Sequence, residues 1–598
     1  MGAGDSFWNK ITAERISRRR ALQMAAVGGS AAGAIAIVGC GGSSSKDKTP
    51  AAGTTPGAGK TPAAGKTAAG EGTPKPGGTL HGTVSLVLGK DPHKAATFLT
   101  HALASYSYSR LLRFKTVVGE LPQEQWYTTE MELAAKVENP DPLTYIFTLR
   151  DDVKWHNLPP VNGRKLTGDD VVYSFDRYRS ISPNKGNMSF VDTVTAVGQV
   201  VTFKLKEPFG LFLNRIASFQ DLWIMPKEFI ESSEKASEDG MLGSGPFIFD
   251  KFTPSVEMSW KKNPDYFEKD SAGSPLPYID GVNLAIITDQ NQVLSQFAAG
   301  SLDTISVPPT LLDSTKSQSP SAIFDGAPRN ILSMMIFEPD SYTTAKAPFN
   351  DERVRQGLSM AINRDALLKR VTPEGGLWPN MPINGGFGKS WWLDPQGSDI
   401  GAAGKYYKYD VAEAKKLLSA GGFTDGFEVP MHFASTVYTT IVPYYPIVKD
   451  GLTALFQQVG IKVKEVPEEY GSYISTTFTG KFDGMAFSLE SVFSDIAAYW
   501  QNMFNAKDAG GGRNHSSVSD PDLQANIKKM LAAQSVEEIR KQNFELQKYT
   551  SQKMYYVPVV TPVEFAARSA KLKGALNTTG PTTYALGTEG ALKSWFSA

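Results

Sequence analysis

Hydrophobic and polar residues alternate along several stretches in the first half of the chain. Every second side chain is a leucine or an aromatic residue in positions 143–149 (LTYIFTL), and the same period recurs in residues 201–206 and 256–260. A period of two with β-branched and aromatic residues is typical of strands that bury one face. The sequence therefore predicts strands at these places and a first half made mostly of strands and turns.

Three positions carry the pattern of a helix start. Thr167 precedes two acidic residues and an apolar stripe, and its hydroxyl is predicted to cap the first turn. Asn350 is predicted to cap a second helix in the same way. Asp410 with Glu413 resembles a capping box before a third helix, which the paired glycines at 421–422 should end.

The second half of the chain alternates helical and strand patterns. Residues 444–459 have a helical period, residues 461–466 alternate as a strand, and residues 485–487 form a short apolar run. A long helical region follows from Asp520 to Leu546, and residues 555–560 read as a buried strand. This alternation predicts an α/β lobe.

Length and composition bound the class of protein. A chain of 598 residues is too long for one ordinary domain, so we expect two or more packed lobes. The 61 Lys and Arg residues balance the 61 Asp and Glu residues, and neither sign runs in blocks. This argues against nucleic acid as a partner. Cys40 is the only cysteine, so internal disulfides and thiolate metal clusters are excluded.

Residues 1–39 have the pattern of an export signal. The cluster Arg18–Arg20 precedes an uncharged run that ends in small residues before Cys40. Residues 17–23 resemble a twin-arginine export motif, with a Sec signal as the alternative. Residues 37–40 resemble a bacterial lipobox, which implies cleavage before Cys40 and acylation of its thiol. A single transmembrane anchor is the alternative, but the run is weakly apolar for a stable span.

Residues 40–77 are predicted to be a lipidated cysteine followed by a disordered tether. From residue 41 onward they are almost wholly Gly, Ala, Thr, Pro, Ser and Lys, which bury too little apolar surface to offset the entropy of ordering. Two Gly-Lys-Thr triplets in the tether lack the spacing and the strand-to-helix context of a phosphate-binding loop, so nucleotide binding is rejected. Such a tether would hold a folded domain close to a membrane partner.

The residues give no sign of catalysis or of a bound metal. The histidines lack the one-turn spacing that places two ligands on one helix face; they are His81, His93, His101, His156, His432 and His515. The chain has no Gly-x-Ser-x-Gly elbow, and acylation of Cys40 would leave no cysteine nucleophile. We therefore expect no enzyme, no metal site and no cofactor.

A resemblance to a known family rests on two segments. Residues 145–175 contain Tyr-x-Phe-x-Leu-Arg, Val-Lys-Trp-His, Asn-Gly and Leu-Thr-x-Asp-Asp-Val-Val-x-Ser-Phe, and residues 349–365 read FNDERVRQGLSMAINRD. Both segments resemble the family 5 extracellular solute-binding proteins, the dipeptide, oligopeptide and nickel receptors of ABC importers. Residues 157–161 depart from the family pattern as an insertion in a loop. Further landmarks extend the resemblance over roughly residues 78–570.

This resemblance implies a two-lobed periplasmic-binding-protein-like α/β fold of type II, with an extra subdomain in the first lobe. Lobe I would comprise residues 78–330, lobe II residues 331–561, and residues 562–598 would return to lobe I. A solute captured between the lobes would stabilise a closed form that docks on ABC permease subunits. The family implies a monomer, held outside the cell membrane by the lipid on Cys40, in the periplasmic space or at the cell surface.

The candidate ligand residues are aromatic and acidic. Loop tryptophans and tyrosines in a Gly- and Pro-rich region, and acids near the position that pairs with the amino terminus in peptide-binding members, give the set Trp391, Trp392, Tyr438, Glu490, Asp495 and Trp500. Packing in the core or between lobes is the alternative for each aromatic residue. The acids lack the family's usual surroundings, so a sugar or another neutral solute stays open beside a peptide.

Two other functions share the same features. A lipid-anchored hydrolase would need a cluster of titratable residues in the cleft between lobes. A sensory receptor of the same fold would present its closed form to a signalling protein instead of a permease. The sequence favours the importer receptor because it contains no nucleophile or metal motif.

Overall fold

A computed structural model describes most of the chain from residue 72 onward. The described residues are 72–95, 97–115, 128–328, 331–339, 348–372, 375–435, 442, 444–491, 495–506, 511–574 and 588–597. They all belong to the compact unit Ala64–Ala598. The predicted export signal, Cys40, most of the tether and Tyr438 lie outside the described residues.

The strands follow the chain in this order: β1 Thr79–Val84, β2 Leu112–Phe114, β3 Thr129–Met131, β4 Ala134–Asp141, β5 Thr144–Leu149, β6 Val191–Val197, β7 Val200–Leu205, β8 Phe247–Thr253, β9 Glu257–Lys262, β10 Gly281–Ile286, β11 Thr304–Val307, β12 Ile323–Pro328, β13 Ile331–Phe337, β14 Phe427–Ala434, β15 Ile461–Glu468, β16 Met485–Ser491, β17 Val557–Pro558, β18 Val563–Arg568, β19 Leu572–Lys573 and β20 Trp595–Phe596. The predicted strands at 143–149, 201–206, 461–466 and 485–487 correspond to β5, β7, β15 and β16.

The helices are α1 Phe98–Ala104, α2 Gly168–Ile181, α3 Phe212–Ala217, α4 Lys227–Ile230, α5 Ala236–Asp239, α6 Gln290–Ala298, α7 Leu312–Gln318, α8 Glu352–Ala361, α9 Arg364–Val371, α10 Val411–Ala420, α11 Tyr445–Gln458, α12 Tyr470–Ser475, α13 Ile496–Phe504, α14 Pro521–Ala532, α15 Val536–Lys553 and α16 Thr588–Ala591. Short 3-10 helices lie at Lys185–Met188, Pro309–Leu311, Pro348–Asn350, Gly385–Phe387, Gly401–Tyr407 and Thr477–Thr479.

Strands of the first half form two four-stranded sheets. In the sheet β4-β5-β7-β6, which is antiparallel, Tyr145 and Phe147 are buried and the Phe147 ring meets Phe203 edge-on at 5.5 Å. The predicted alternation is confirmed from Thr144, whereas Leu143 lies in the preceding turn and is exposed. The alternating pattern at 256–260 corresponds to β9 of the sheet β1-β10-β9-β8. Strand β9 begins at Glu257, one residue later than predicted, so Val256 is exposed, whereas Met258 and Trp260 are buried.

The second half is built on the five-stranded sheet β15-β14-β16-β13-β17. Strand β14 runs parallel to β15 and β16, and β13 runs antiparallel to β16 and β17. Helix α11 packs on this sheet, where the Tyr445 ring stacks on Phe487 at 4.7 Å. Parallel strands need helical crossovers, which is why the strand and helix patterns alternate here. The predicted α/β class is confirmed.

The chain passes twice between the sheets of the two halves, and the two passages lie side by side. Strand β12 pairs with β18, and β13, which follows β12, pairs with β17. Ser333 binds the second passage because its hydroxyl accepts the Val560 amide at 3.0 Å and its carbonyl accepts the Val559 amide at 2.8 Å. These passages lie where the resemblance places the lobe boundaries at 330 and 561, and the boundaries themselves stay a prediction.

Local capping signals gave helix starts to within a residue. Helix α2 begins after Thr167, whose amide donates to the Asp170 carboxylate at 2.9 Å. Asp410 caps α10 by accepting the Glu413 amide at 2.9 Å, as expected. The prediction for Asn350 was wrong: Asp351 is the N-cap of α8 and accepts the Arg353 amide, because the chain forms a 3-10 turn through Asn350 first.

No helix in the described part of the chain combines the length and apolar character needed to cross a membrane.

Candidate functional site

Of the two loop tryptophans, Trp391 packs against a helix. Trp391 and Trp392 are buried, and the Trp391 carbonyl accepts hydrogen bonds from Asn543 at 2.7 Å and Gln547 at 2.8 Å on α15. The Arg540 guanidinium lies 5.1 Å from the Trp391 ring centroid. These contacts fix the loop on α15, and the role of either tryptophan in ligand binding stays a prediction.

Trp500 belongs to the same packed region. It lies on α13, is fully buried, and its indole Nε1 donates to Asn543 Oδ1 at 2.9 Å. Because Asn543 also donates to the Trp391 carbonyl, one amide side chain joins the loop, α13 and α15. Tyr438, the remaining aromatic candidate, lies outside the described residues.

Glu490 is enclosed by an arginine and a histidine side chain. It lies on β16 with no exposed surface, bonds Arg513 through Oε1, and meets His515 Nε2 through Oε2 at 2.9 Å. His515 Nδ1 lies 2.6 Å from the Phe478 carbonyl oxygen. The two ring nitrogens of His515 thus face two oxygen acceptors, one of them on Glu490. The Glu490 carboxylate is therefore compensated from within the protein.

Both carboxylate oxygens of Asp495 also accept hydrogen bonds within the protein, one of them from an arginine far away in the sequence. It caps α13, accepting the Ala498 amide at 2.9 Å, and its other oxygen accepts Arg215 Nε at 2.7 Å. Arg215 also donates to Gln501 Oε1 at 2.9 Å. Burial alone would lower the pKa of Arg215, but the carboxylates of Asp495 and Asp221 outweigh burial and raise that pKa.

Asp221 completes a buried polar cluster around Arg215. Its Oδ1 accepts hydrogen bonds from Tyr178 at 2.9 Å and from Asn187 at 2.7 Å, and its Oδ2 lies 3.9 Å from Arg215 Nε. Burial raises the pKa of Asp221, and the charge of Arg215 opposes that effect. Asn187 further receives a bond from Asn502 on α13 at 2.5 Å.

This cluster joins the first half of the chain to the second. Segment 183–221 supplies Arg215 and Asn187. The second half supplies Asp495, which is the N-cap of α13, and residues of that helix. A backbone bond from Gly210 to the Leu531 carbonyl at 2.8 Å extends the same contact to α14. If the lobe boundaries are as predicted, this is where the two lobes touch.

The sequence did not identify Arg215 and its neighbours as site residues. They lie in an otherwise apolar run, LFLNRIASFQDLWIM at 211–225, and polar residues there are buried without exception. Asn214, Arg215, Ser218, Gln220 and Asp221 interrupt a stretch that would otherwise read as core. Such interruptions were the available signal, because a polar group is buried only where it finds a partner or a ligand.

Three buried histidines of the first half, His93, His101 and His156, are held neutral by burial. Burial lowers the pKa of His93 and His156 to about 4, and that of His101 to about 3. Each bonds a backbone carbonyl, as His156 Nε2 does to Gly245 at 3.0 Å. Among the described residues no group of three His, Cys, Asp or Glu side chains could hold a metal ion.

Comparison with known proteins identifies related sequences. The sequence profile of the bacterial extracellular solute-binding proteins, family 5 (middle part), matches residues 128–511. The chain is 26% identical over 416 residues to di/tripeptide-binding protein 1 of Pseudomonas aeruginosa, and this alignment covers 65% of this chain and 72% of that protein. It is 23% identical over 499 residues to heme-binding protein A of Haemophilus influenzae, covering 79% and 85%.

Solved structures share the fold. The periplasmic binding protein DppA of Helicobacter pylori, in complex with the peptide STSA, superposes with a TM-score of 0.73 at 21% identity, covering 88% of this chain and 99% of that one. The binding protein AgaA of A. tumefaciens R10, in complex with agropinic acid, gives a TM-score of 0.72 at 19% identity, covering 87% and 99%. The expected periplasmic-binding-protein-like fold is thereby confirmed.

Proposed function

The chain belongs to the family 5 bacterial extracellular solute-binding proteins, and from this premise we propose that it is the substrate-binding component of an ABC importer. It captures a peptide or a similar small solute and delivers it to a membrane permease. The family match over residues 128–511 carries the proposal. The relatives differ in what they are named for, dipeptides, heme and agropinic acid among them, so family membership leaves the solute open.

Capture in this proposal is closure of two lobes over the solute. The two adjacent strand passages, β12 to β13 and β17 to β18, supply a narrow connection about which the halves can rotate. The Arg215–Asp495 pair supports a closed form, since it can exist only when α3 and α13 are in contact. A solute that touches both halves shifts the equilibrium towards closure by its differential affinity for the closed form.

The proposed activity is binding without chemistry. Family members are substrate-binding transport proteins, and the buried acids and histidines described above are engaged in internal bonds. Arg215 and Glu490 thus stabilise structure instead of activating a nucleophile. This favours the receptor over the lipid-anchored hydrolase.

Placement at the membrane completes the proposal. Family members are extracytoplasmic. We place this chain at the outer face of the cell membrane as a monomer, held by a lipid on Cys40 and the tether that follows. The ligand contacts expected from the sequence stay a proposal for this chain; they are Trp391, Trp392, Tyr438, Glu490, Asp495 and Trp500.

Native mass spectrometry of the full-length protein, purified from a bacterial host, tests the proposal. A non-covalently bound small molecule that leaves on denaturation, and that raises the melting temperature when added back, is the expected result. Uptake of that molecule should depend on a permease encoded beside this gene. A bound molecule that the protein converts into a product would contradict the proposal, and so would the absence of any bound solute together with no thermal shift across peptides, sugars and nickel chelates.

A further inference from the structure

The second passage between the halves, from β17 to β18, stays bonded to the second half after β17 has ended. Val557 and Pro558 form β17 and pair with β13, and the Pro558 carbonyl also accepts Arg364 Nη2 at 2.6 Å. The next residue, Val559, donates its amide to the Ser333 carbonyl at 2.8 Å. The chain is therefore still attached to β13 one residue beyond the strand.

Ser333 holds the following residue with its side chain. It lies on β13 and is fully buried, and its hydroxyl accepts the Val560 amide at 3.0 Å and donates to the Val560 carbonyl. One hydroxyl can do both, because it has one hydrogen and two lone pairs. Val560 is itself fully buried, so without this hydroxyl both of its backbone polar groups would lose their partner.

Leu377 binds the residue after that. The Leu377 amide donates to the Thr561 carbonyl at 2.8 Å, and the Thr561 amide donates to the Leu377 carbonyl at 2.9 Å. This exchange of two bonds is the hydrogen-bonded pair of an antiparallel ladder. Residues 557–561 are thus attached to the second half one after another.

Beyond Thr561 the passage enters the sheet β11-β18-β12. Val563 begins β18 and pairs with Pro328 at the end of β12. Pro562 is the single residue between the bonded Thr561 and this strand. A proline ring fixes φ near about −65°, which leaves ψ as the one soft backbone dihedral of the residue. Rotation within this passage is therefore concentrated at one bond.

We propose that Ser333 is a positioning residue for solute capture: together with Leu377 it fixes residues 559–561 to the second half, so that in this passage the halves rotate at Pro562. The inference deepens the proposed function and rests on it. Ser333 has no contact with the solute in this proposal and acts through the passage alone.

Loss of the Ser333 hydroxyl should favour the open form. In the closed form the Arg215–Asp495 contact holds the halves together whatever the passages do, whereas in the open form this contact is absent. Freeing residues 559–561 therefore adds conformations mainly to the open form. We expect the ratio of open to closed molecules to rise roughly 2- to 10-fold in Ser333→Ala, the effect of one net hydrogen bond.

Ser174→Ala is the matched control. This buried serine lies wholly within the first half; its hydroxyl accepts the Met225 amide at 2.9 Å and lies 3.2 Å from the Met225 carbonyl oxygen. Both substitutions leave a buried backbone amide unpaired, so both should lower the melting temperature by a similar amount. Only Ser333→Ala should change the ratio of open to closed molecules.

Pro562→Gly tests the pivot by a different route. It frees φ in addition to ψ and deletes no donor or acceptor. The ratio should move in the same direction as in Ser333→Ala, and the spread of distances between the halves should widen. This variant decides the outcome if Ser333→Ala does not fold.

Single-molecule energy transfer on the full-length protein measures the ratio. Glu207 and Lys528 form an exposed ion pair between the first half and α14, with 2.6 Å between Oε2 and Nζ. Dyes are attached through Glu207→Cys and Lys528→Cys in a Cys40→Ser background, so that only these two positions react. Solute is first removed by unfolding and refolding. High transfer then reports closed molecules and low transfer open ones.

The expected result is a larger low-transfer population in Ser333→Ala and Pro562→Gly, and an unchanged distribution in Ser174→Ala. If Ser333→Ala matches Ser174→Ala, or if Pro562→Gly matches the unchanged protein, the positioning role is overturned. The importer proposal is judged separately, by the small molecule that native mass spectrometry finds on the purified protein. A copurified solute together with unchanged distributions would sustain solute capture and reject the role of Ser333.

Discussion

Acidification should destabilise the protein through His156, and the structure gives the magnitude. The imidazole is fully buried; Nε2 donates to the Gly245 carbonyl at 3.0 Å, and Nδ1 lies 3.4 Å from the Gly243 amide that donates to it. Burial lowers its pKa from 6.5 to about 4. The unfolded chain therefore binds a proton between these two values that the folded chain does not.

The sign follows from that difference in proton binding. Above pH 6.5 both states carry neutral His156 and stability is unaffected; as pH falls towards 4 the unfolded state gains protonation free energy and stability declines. At pH 5 the free energy of unfolding should be lower by about 2 kcal/mol. Each pH unit between the unfolded and folded pKa values lowers it by about 1.36 kcal/mol, and pH 5 lies about 1.5 units below the unfolded value. Below about pH 4 the loss levels off.

Replacing the ring isolates this contribution. In His156→Gln the amide can still donate towards Gly245 but cannot titrate. Urea unfolding followed by tryptophan fluorescence at pH 7 and pH 5 should show the unchanged protein losing about 2 kcal/mol more than the variant. Between pH 8 and pH 7 the two should change in parallel, which controls for the substitution itself. An equal loss in both proteins between pH 7 and pH 5 would refute the neutral, buried ring.

Three further substitutions test buried contacts by urea unfolding. Arg215→Met leaves the Asp495 carboxylate buried beside an apolar group and should lower the free energy of unfolding by about 3–5 kcal/mol. Adding Asp495→Asn should restore part of this stability, because asparagine can still cap α13. If the double variant recovers no stability, the loss is not caused by the unpaired charge. Arg364→Lys should cost about 2–4 kcal/mol, since its guanidinium donates to several backbone carbonyls that an ammonium cannot reach together. Trp500→Phe should cost about 1–2 kcal/mol by leaving Asn543 Oδ1 unpaired, and an unchanged midpoint would refute that bond.

The strands and helices that the sequence predicted well are those with a local cause. Residues 144–149 alternate because one face of the sheet is buried, and α10 starts at Asp410 because its own side chain caps the first turn. The family resemblance worked for a similar reason, since its landmarks are short ordered motifs. Asn350 failed as a cap because a neighbouring residue with the same chemistry was one position away.

The candidate site could not be predicted in this way. Trp391 and Trp500 were selected as single aromatic residues, but both bond Asn543, and nothing in the sequence joins the three. Glu490 and Asp495 were selected as acids for a ligand amine. Only the folded chain places cations against both of them.

Period, capping signals and short motifs were enough to predict the α/β class, the positions of several strands and helices, and the family, because they depend on residues close together in the chain. Which buried polar groups find hydrogen-bond partners depends on the tertiary structure. Arg215 reaches Asp495 across the two halves, whereas Gln220 in the same run finds no partner. The two look alike in the sequence, and they differ because hydrogen bonding of a buried group depends on what the rest of the chain brings within about 3 Å of it.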